Sequence, residues 1–347
     1  MHPTSIRRAI RASLAAALCF LSATSPAAPR QESANSLPGQ PLKATSVAVE
    51  VYAIVEGRHG RLIHDLNAND FDLTDDGAPQ KIAYFSRETN VALSLGLAID
   101  TSLSQDKLLK TEQSAAKEFL RSVLRPGDRA FVMNFDVDVQ LRQDFTGEPG
   151  DLARAVDSAE INRTGTSLVQ ENAPAKPTGG TRLYDAVYLA SNELMKARIG
   201  RKVLVLVTDG EDQGSKSNLQ QSIESAERSN VIVYSIVVSD PQFYALMGSS
   251  YHGDAGIRKL ARATGGRTIR LQSISQIGQG FDRIARELRS QYLIGYAPLN
   301  PRYNGSFHRI QLRVRGHGYT IQARSGYYDR EDALKMKELG DAAGVAP

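Results

Sequence analysis

Two uninterrupted apolar runs, Val203–Thr208 within "KVLVLVT" and Val231–Val238 within "VIVYSIVV", constrain the fold more than any other feature of the chain. A strand with water on one face alternates apolar and polar residues, so a run without alternation belongs to a strand covered on both faces, as in a parallel sheet between helical layers. Further strands are expected at Leu95–Ile99, Arg129–Asn134, Val139–Phe145 and Arg267–Leu271. Helical periodicity fills the gaps, over Lys107–Leu124, Asp151–Ala159, Leu183–Ala197, Asn218–Ser229, Gly256–Thr264 and Ile277–Ser290. The alternation predicts an α/β domain, doubly wound on a mostly parallel sheet, over about residues 91–290.

The flanks obey a different rule. "SVAVEVYAIV" and "FDLTDDGAPQKIAYFS" before this domain, and "QYLIGYAPL", "FHRIQLRVRG" and "YTIQARSGYY" after it, are β-rich and partly alternating. Neither flank has enough strands to close a core alone. Residues 45–90 and 291–329 are therefore expected to pair into one small β-sandwich that brackets the α/β insert.

Residues 1–28 combine Arg7, Arg8 and Arg11, a short apolar centre from Leu14 to Leu21, and a small-residue end, the pattern of a secretory signal peptide. Its centre is too short for a stable membrane span. The alternative, an uncleaved anchor, stays open at this stage. Residues 29–44 read as a linker rich in Pro, Gly and Ser, and 330–347 as a frayed tail. The protein is thus expected to be exported, periplasmic or secreted, with no membrane span after cleavage.

Export would also remove Cys19, the single cysteine, which excludes disulfides, zinc–thiolate sites and cysteine nucleophiles. Losing the three arginines lowers the formal net charge from +4 to +1. A near-neutral chain offers little attraction for phosphate, so no nucleic-acid partner is implied.

In a doubly wound sheet, ligands bind outside the carboxyl ends of the strands at the switch point. The first strand ends there in "DTSLS", with Asp100, Ser102 and Ser104; "GGTRLYDA" brings Thr181 before a helix, and "TDGED" puts Asp209 at the end of a buried strand. Five oxygen donors without His or Cys suit Mg²⁺, Mn²⁺ or Ca²⁺ rather than zinc. Taken alone, "DTSLS" also reads as a helix cap, with a serine hydroxyl accepting from free backbone N–H groups. His59, His64, His252, His308 and His317 show no metal-ligand spacing and read as ordinary surface or core residues.

Other acidic positions read as structural. Asp136 and Asp138 form a turn between two strands, Glu211 and Asp212 a solvated loop, and Asp185 a residue that orients its loop. The segments Asn162–Pro177 and Pro241–Asp254 are candidate contact loops near the same edge.

These motifs resemble the von Willebrand factor type A domain, whose metal-ion-dependent adhesion site is D-x-S-x-S, then a Thr, then an Asp. "DTSLS", Thr181 and Asp209 match it in order, and "LARATGGR" before the last strand also looks like the family. With its β-rich flanks, the chain resembles exported bacterial proteins of the VWFA-related, acidobacterial-type group. The resemblance implies that Asp100, Ser102, Ser104, Thr181 and Asp209 hold a divalent cation, with a partner protein's acidic residue completing the shell. It implies a binding module rather than an enzyme.

Two other classes remain at this stage. A Mg²⁺-dependent phosphatase or other hydrolase would use a similar scaffold, but the second catalytic Asp of haloacid-dehalogenase-like phosphatases corresponds to Ser102, and no G-x-S-x-G elbow is present. A structural component of the envelope is the other.

Overall fold

The computed structural model describes residues 49–87, 91–163, 180–239 and 254–329. The segments read as signal peptide, linker and tail, and most of both candidate contact loops, lie outside the described residues. In chain order the elements are β1 (Val49–Glu56), β2 (Phe71–Asp75), β3 (Ala78–Pro79), β4 (Tyr84–Ser86), β5 (Leu93–Asp100), α1 (Leu109–Val123), β6 (Arg129–Phe135), β7 (Val139–Thr146), α2 (Pro149–Asp157) and α3 (Leu183–Leu189). There follow β8 (Arg201–Thr208), α4 (Leu219–Arg228), β9 (Val231–Val237), α5 (Asp254–Ala263), β10 (Thr268–Arg270), α6 (Ile277–Arg289), β11 (Tyr292–Tyr296), β12 (Phe307–Val314), β13 (Thr320–Ala323) and β14 (Gly326–Tyr328).

The central sheet has the order β10-β9-β8-β5-β6-β7. Its pairings are parallel except for the antiparallel edge between β6 and β7. Every residue of β5, β8 and β9 is buried, which is why their sequences lack polar alternation. Leu93, Leu95, Leu97 and Ile99 of β5 point into a layer made by α1, α2 and α6, where Phe119 stacks on Phe281 at 4.7 Å between ring centroids. The opposite face of β5 carries small residues because Phe131 crowds it. A Cβ on Gly96 would lie 2.4 Å from the Phe131 ring. Helices α3, α4 and α5 cover that side. The helix begun by α3 widens into a π-helical turn over Ala190–Met195 before β8.

Gly265 and Gly266 of the "TGGR" turn allow α5 to run straight into β10. Gly265 has a φ of +84°, a left-handed conformation that L side chains rarely adopt. A Cβ on Gly266 would sit 2.0 Å from the carbonyl oxygen of Val233, a backbone atom that cannot swing away. Gly266→Ala is expected to pry β10 from β9 and to cost about 1–3 kcal/mol in urea unfolding; a change below about 0.5 kcal/mol would show that the turn can shift freely.

The two flanks interleave as the pairing argument requires. One antiparallel sheet has the order β13-β1-β11-β4 and the other β14-β12-β2-β3, so each takes strands from both ends of the chain. Val51 faces Ile294 across β1 and β11, and Leu73 faces Leu312 across β2 and β12. Their apolar faces share one core, with Phe71, Tyr292, Ile294, Tyr296 and Ile310 among its members. Ile54, which alternates to the other face of β1, packs into the α/β core instead. An ion-pair network strengthens this junction: Glu56 at the end of β1 binds Arg267 and Arg283, each at 2.6 Å, and Glu287 of α6 binds the same two guanidinium groups at 3.1 and 3.0 Å.

Candidate functional site

The order of winding reverses between β5 and β8, parallel neighbours in register from Leu93↔Arg201 to Ile99↔Val207. Their carboxyl ends deliver Asp100 and Asp209 to the same crevice, the switch point of this topology. Both are buried, as are Ser102, Ser104 and Thr181.

Hydrogen bonds join four of the five candidates. Ser102 Oγ lies 3.0 Å from Ser104 Oγ, and Ser104 Oγ donates to Asp209 Oδ2 at 2.5 Å. The backbone N–H of Ser102 donates to Asp100 Oδ1 at 2.9 Å, which folds the loop back onto the strand end. Ser102 occupies the N-cap of the short 3-10 turn Leu103–Gln105, yet its side chain makes no capping hydrogen bond. The two hydroxyls therefore point into the acidic crevice and do not serve the helix end.

Thr181 arrives by another route. Its backbone exchanges hydrogen bonds with Gln213, at 2.9 and 2.8 Å, forming an isolated antiparallel bridge. This bridge ties the loop before α3 to the loop that carries Asp209. Arg182 N donates to the carbonyl of Asp136 at 2.8 Å and so anchors the same loop to the β6–β7 turn.

Several supporting residues escape a motif search. Thr208 Oγ1 donates to Asp100 Oδ2 at 2.6 Å and accepts from Gly210 N at 3.0 Å. Asp136 is a turn residue, with its Oδ1 accepting from Asp138 N, but it also receives Thr101 Oγ1 at 2.7 Å and Asn162 Nδ2 at 2.9 Å. It thereby fixes the "DTSLS" loop from below. Asp185 accepts from the backbone of Lys216 and Ser217, and Asp212 from Tyr184 N and Ser215 Oγ, so both shape the loop after β8. On α1, Glu112 is fully buried, and neither of its carboxylate oxygens has a hydrogen-bond partner among the described residues.

The electrostatics follow from this burial. Removal from water, followed by the charge of Asp209, pushes the Asp100 carboxyl up to about 8. Burial, then the charges of Asp100 and Asp209, also raises Glu112 well above the usual carboxylate range. Acids brought together in a dry crevice repel one another, and either protons or a cation can relieve that repulsion. The side chains at the mouth offer only oxygen donors, a set that fits a hard divalent cation.

Residues 95–211 match the family model described as the von Willebrand factor type A domain. No curated protein matches the chain. Among solved structures, the chain is similar to a von Willebrand factor type A protein from Catenulispora acidiphila, with 14% identity and a TM-score of 0.46 over 83% of this chain and 75% of that one. It is also similar to an aerotolerance-related membrane protein from Bacteroides fragilis, with 16% identity and a TM-score of 0.42 over 57% of this chain and 98% of that one. A third is proximal thread matrix protein 1 of the mussel byssus, solved with a zinc-occupied MIDAS motif, with 12% identity and a TM-score of 0.43 over 62% of this chain and 49% of that one. The five candidate residues all fall inside the matched segment, and the chain carries a von Willebrand factor type A domain from Leu95 to Glu211.

Proposed function

We propose that this protein is an exported binding module, not an enzyme, in which Asp100, Ser102, Ser104, Thr181 and Asp209 hold a divalent cation. Mg²⁺ is the first choice, with Mn²⁺ and Ca²⁺ as alternatives; the bound ion supplies a Lewis-acidic point of attachment for a carboxylate of a protein ligand. The observation that carries this reading is the pair of buried carboxylates, Asp100 and Asp209, linked through the hydroxyls of Ser104 and Ser102 at the switch point. Thr208 and the Ser102 N–H orient Asp100, and Glu211 N at 3.1 Å orients Asp209. Only two carboxylates face the mouth among these donors, so a dication would keep affinity for one more acid.

A random-peptide library selected on the protein in Mg²⁺ and eluted with a chelator tests the partner class. Enrichment of peptides with an essential Asp or Glu, lost on Ser102→Ala or Ser104→Ala, is the expected result. Selected peptides that lack an acid, or that survive chelation, would contradict the proposal.

A further inference from the structure

We propose that the β-sandwich carries a second metal site, separate from the switch-point crevice, in which Asp75, Asp76 and His308 bind a first-row transition cation of the Zn²⁺ class. The three residues meet where β2 turns into β3 and β12 runs alongside. Asp75 ends β2, Asp76 and Gly77 form the turn with φ values of +48° and +82°, and His308 lies on β12. One ligand atom from each lies within 4.8 Å of the others. Asp76 Oδ2 is 3.1 Å and Asp75 Oδ1 is 3.7 Å from His308 Nδ1. Ligand atoms around a tetrahedral zinc, with bonds of about 2.0–2.1 Å, stand about 3.4 Å apart.

The surroundings point these atoms at a common centre. Tyr296 and Tyr327 both donate their hydroxyls to Asp75 Oδ2, at 3.0 and 2.9 Å. Asp75 Oδ1 is left buried with no hydrogen-bond partner among the described residues, aimed at the imidazole. A buried carboxylate oxygen without a donor is costly, and a cation at this place removes that cost. The other ring nitrogen, Nε2, faces Ser306 Oγ at 3.4 Å and Asp329 Oδ2 at 3.6 Å. With a metal on Nδ1 in place of its 3.1 Å contact to Asp76, Asp329 would hold the ring's remaining proton on Nε2, as carboxylates commonly do behind metal-bound histidines. The Tyr327 ring stacks on the imidazole at 5.1 Å and fixes its plane. Asp76 is the way in: its side chain is 37% exposed, and Arg302, at 3.7 Å from Asp76 Oδ2, is itself exposed enough to swing aside.

One imidazole and two carboxylates form a mixed nitrogen–oxygen set that suits zinc and its neighbours better than Ca²⁺ or Mg²⁺. A sequence scan cannot reveal it, because His308 is more than 200 positions from Asp75 and Asp76 and β12 pairs with β2 only in the folded sandwich.

The test is Zn²⁺ titration calorimetry on the Asp209→Ala protein, whose switch-point crevice is disabled, so that failure here and failure of the proposed function are read separately. One saturable equivalent of Zn²⁺ is expected, weakened at least 10-fold by His308→Gln and by Asp76→Asn. Asn tolerates the positive φ at position 76, and its amide oxygen can still accept from Arg309 N, which Asp76 Oδ1 now does at 2.9 Å; this variant should fold even if His308→Gln does not. Absence of Zn²⁺ binding in the Asp209→Ala protein, or binding untouched by Asp76→Asn, would overturn the proposal and leave the cluster as a polar contact between His308 and its carboxylates.

Discussion

Asp209→Asn is expected to act in opposite directions with and without divalent cations. With a chelator present at pH 8, the variant should be more stable than the parent protein by on the order of 1 kcal/mol, the worth of about one pKa unit. In millimolar Mg²⁺ it should lose the metal-induced rise in stability that the parent shows. The reason is the buried pairing of Asp100 with Asp209, which burial makes costly and which a proton or a cation offsets. The amide keeps the local geometry, since its oxygen can accept from Glu211 N while its nitrogen donates to the Ser104 hydroxyl.

The pH dependence has a definite sign. Asp100 is pushed up to about 8 in the folded protein, against roughly 3.9 in an unfolded chain, so between these values the native state binds the extra proton. Stability of the metal-free protein is therefore full below about pH 4 as far as this group is concerned, and is lost as pH rises through about 8. Asp209→Asn removes the second-largest cause of the shift and should flatten that slope. The same proton competes with a cation for Asp100, so apparent Mg²⁺ affinity should climb with pH up to about 8. Chelated urea melts at pH 5 and pH 8 check both statements; a variant no more stable than the parent at pH 8 would count against the electrostatic account.

The second large effect concerns the junction between the sandwich and the α/β domain. Glu287 is fully buried and binds both Arg267 and Arg283, while Gln322 Nε2 approaches its other oxygen at 3.5 Å. Glu287→Ala would leave two half-buried guanidinium groups sharing Glu56 alone. Breaking a buried charge network from one side is strongly destabilising, and a loss of about 2–4 kcal/mol is expected in urea unfolding. Glu287→Gln, which preserves shape and part of the hydrogen bonding, should lose less. Equal effects of the two substitutions would show that packing, not charge, dominates at this position.

The α/β layer was legible because its physics is local. Continuous apolar runs at β8 and β9 announce burial on both faces, and each expected strand and helix of this layer has its counterpart, with ends differing by a few residues. The strand order was legible only in kind, since pairing β5 with β8 rests on long-range packing. At the crevice, "DTSLS" and "TDGED" mark strand ends whose side chains meet through hydrogen bonds. The helix-cap alternative for "DTSLS" falls away because the Ser102 hydroxyl lies against Ser104 and makes no cap bond. Glu112 was not legible: an acid on the inner face of an amphipathic helix looks like an ordinary interruption of the apolar stripe until α1 is seen against Asp100. His308 escaped for a similar reason, because its acidic neighbours belong to the other end of the chain.

The switch-point oxygens are proposed to bind a dication. Mg²⁺ titration calorimetry on the intact protein, with Asp100→Ala beside it, tests this most directly. One saturable equivalent in the parent and none in the variant is the predicted result. Heats that are indistinguishable between the two proteins, or no saturable binding by the parent, would contradict the account.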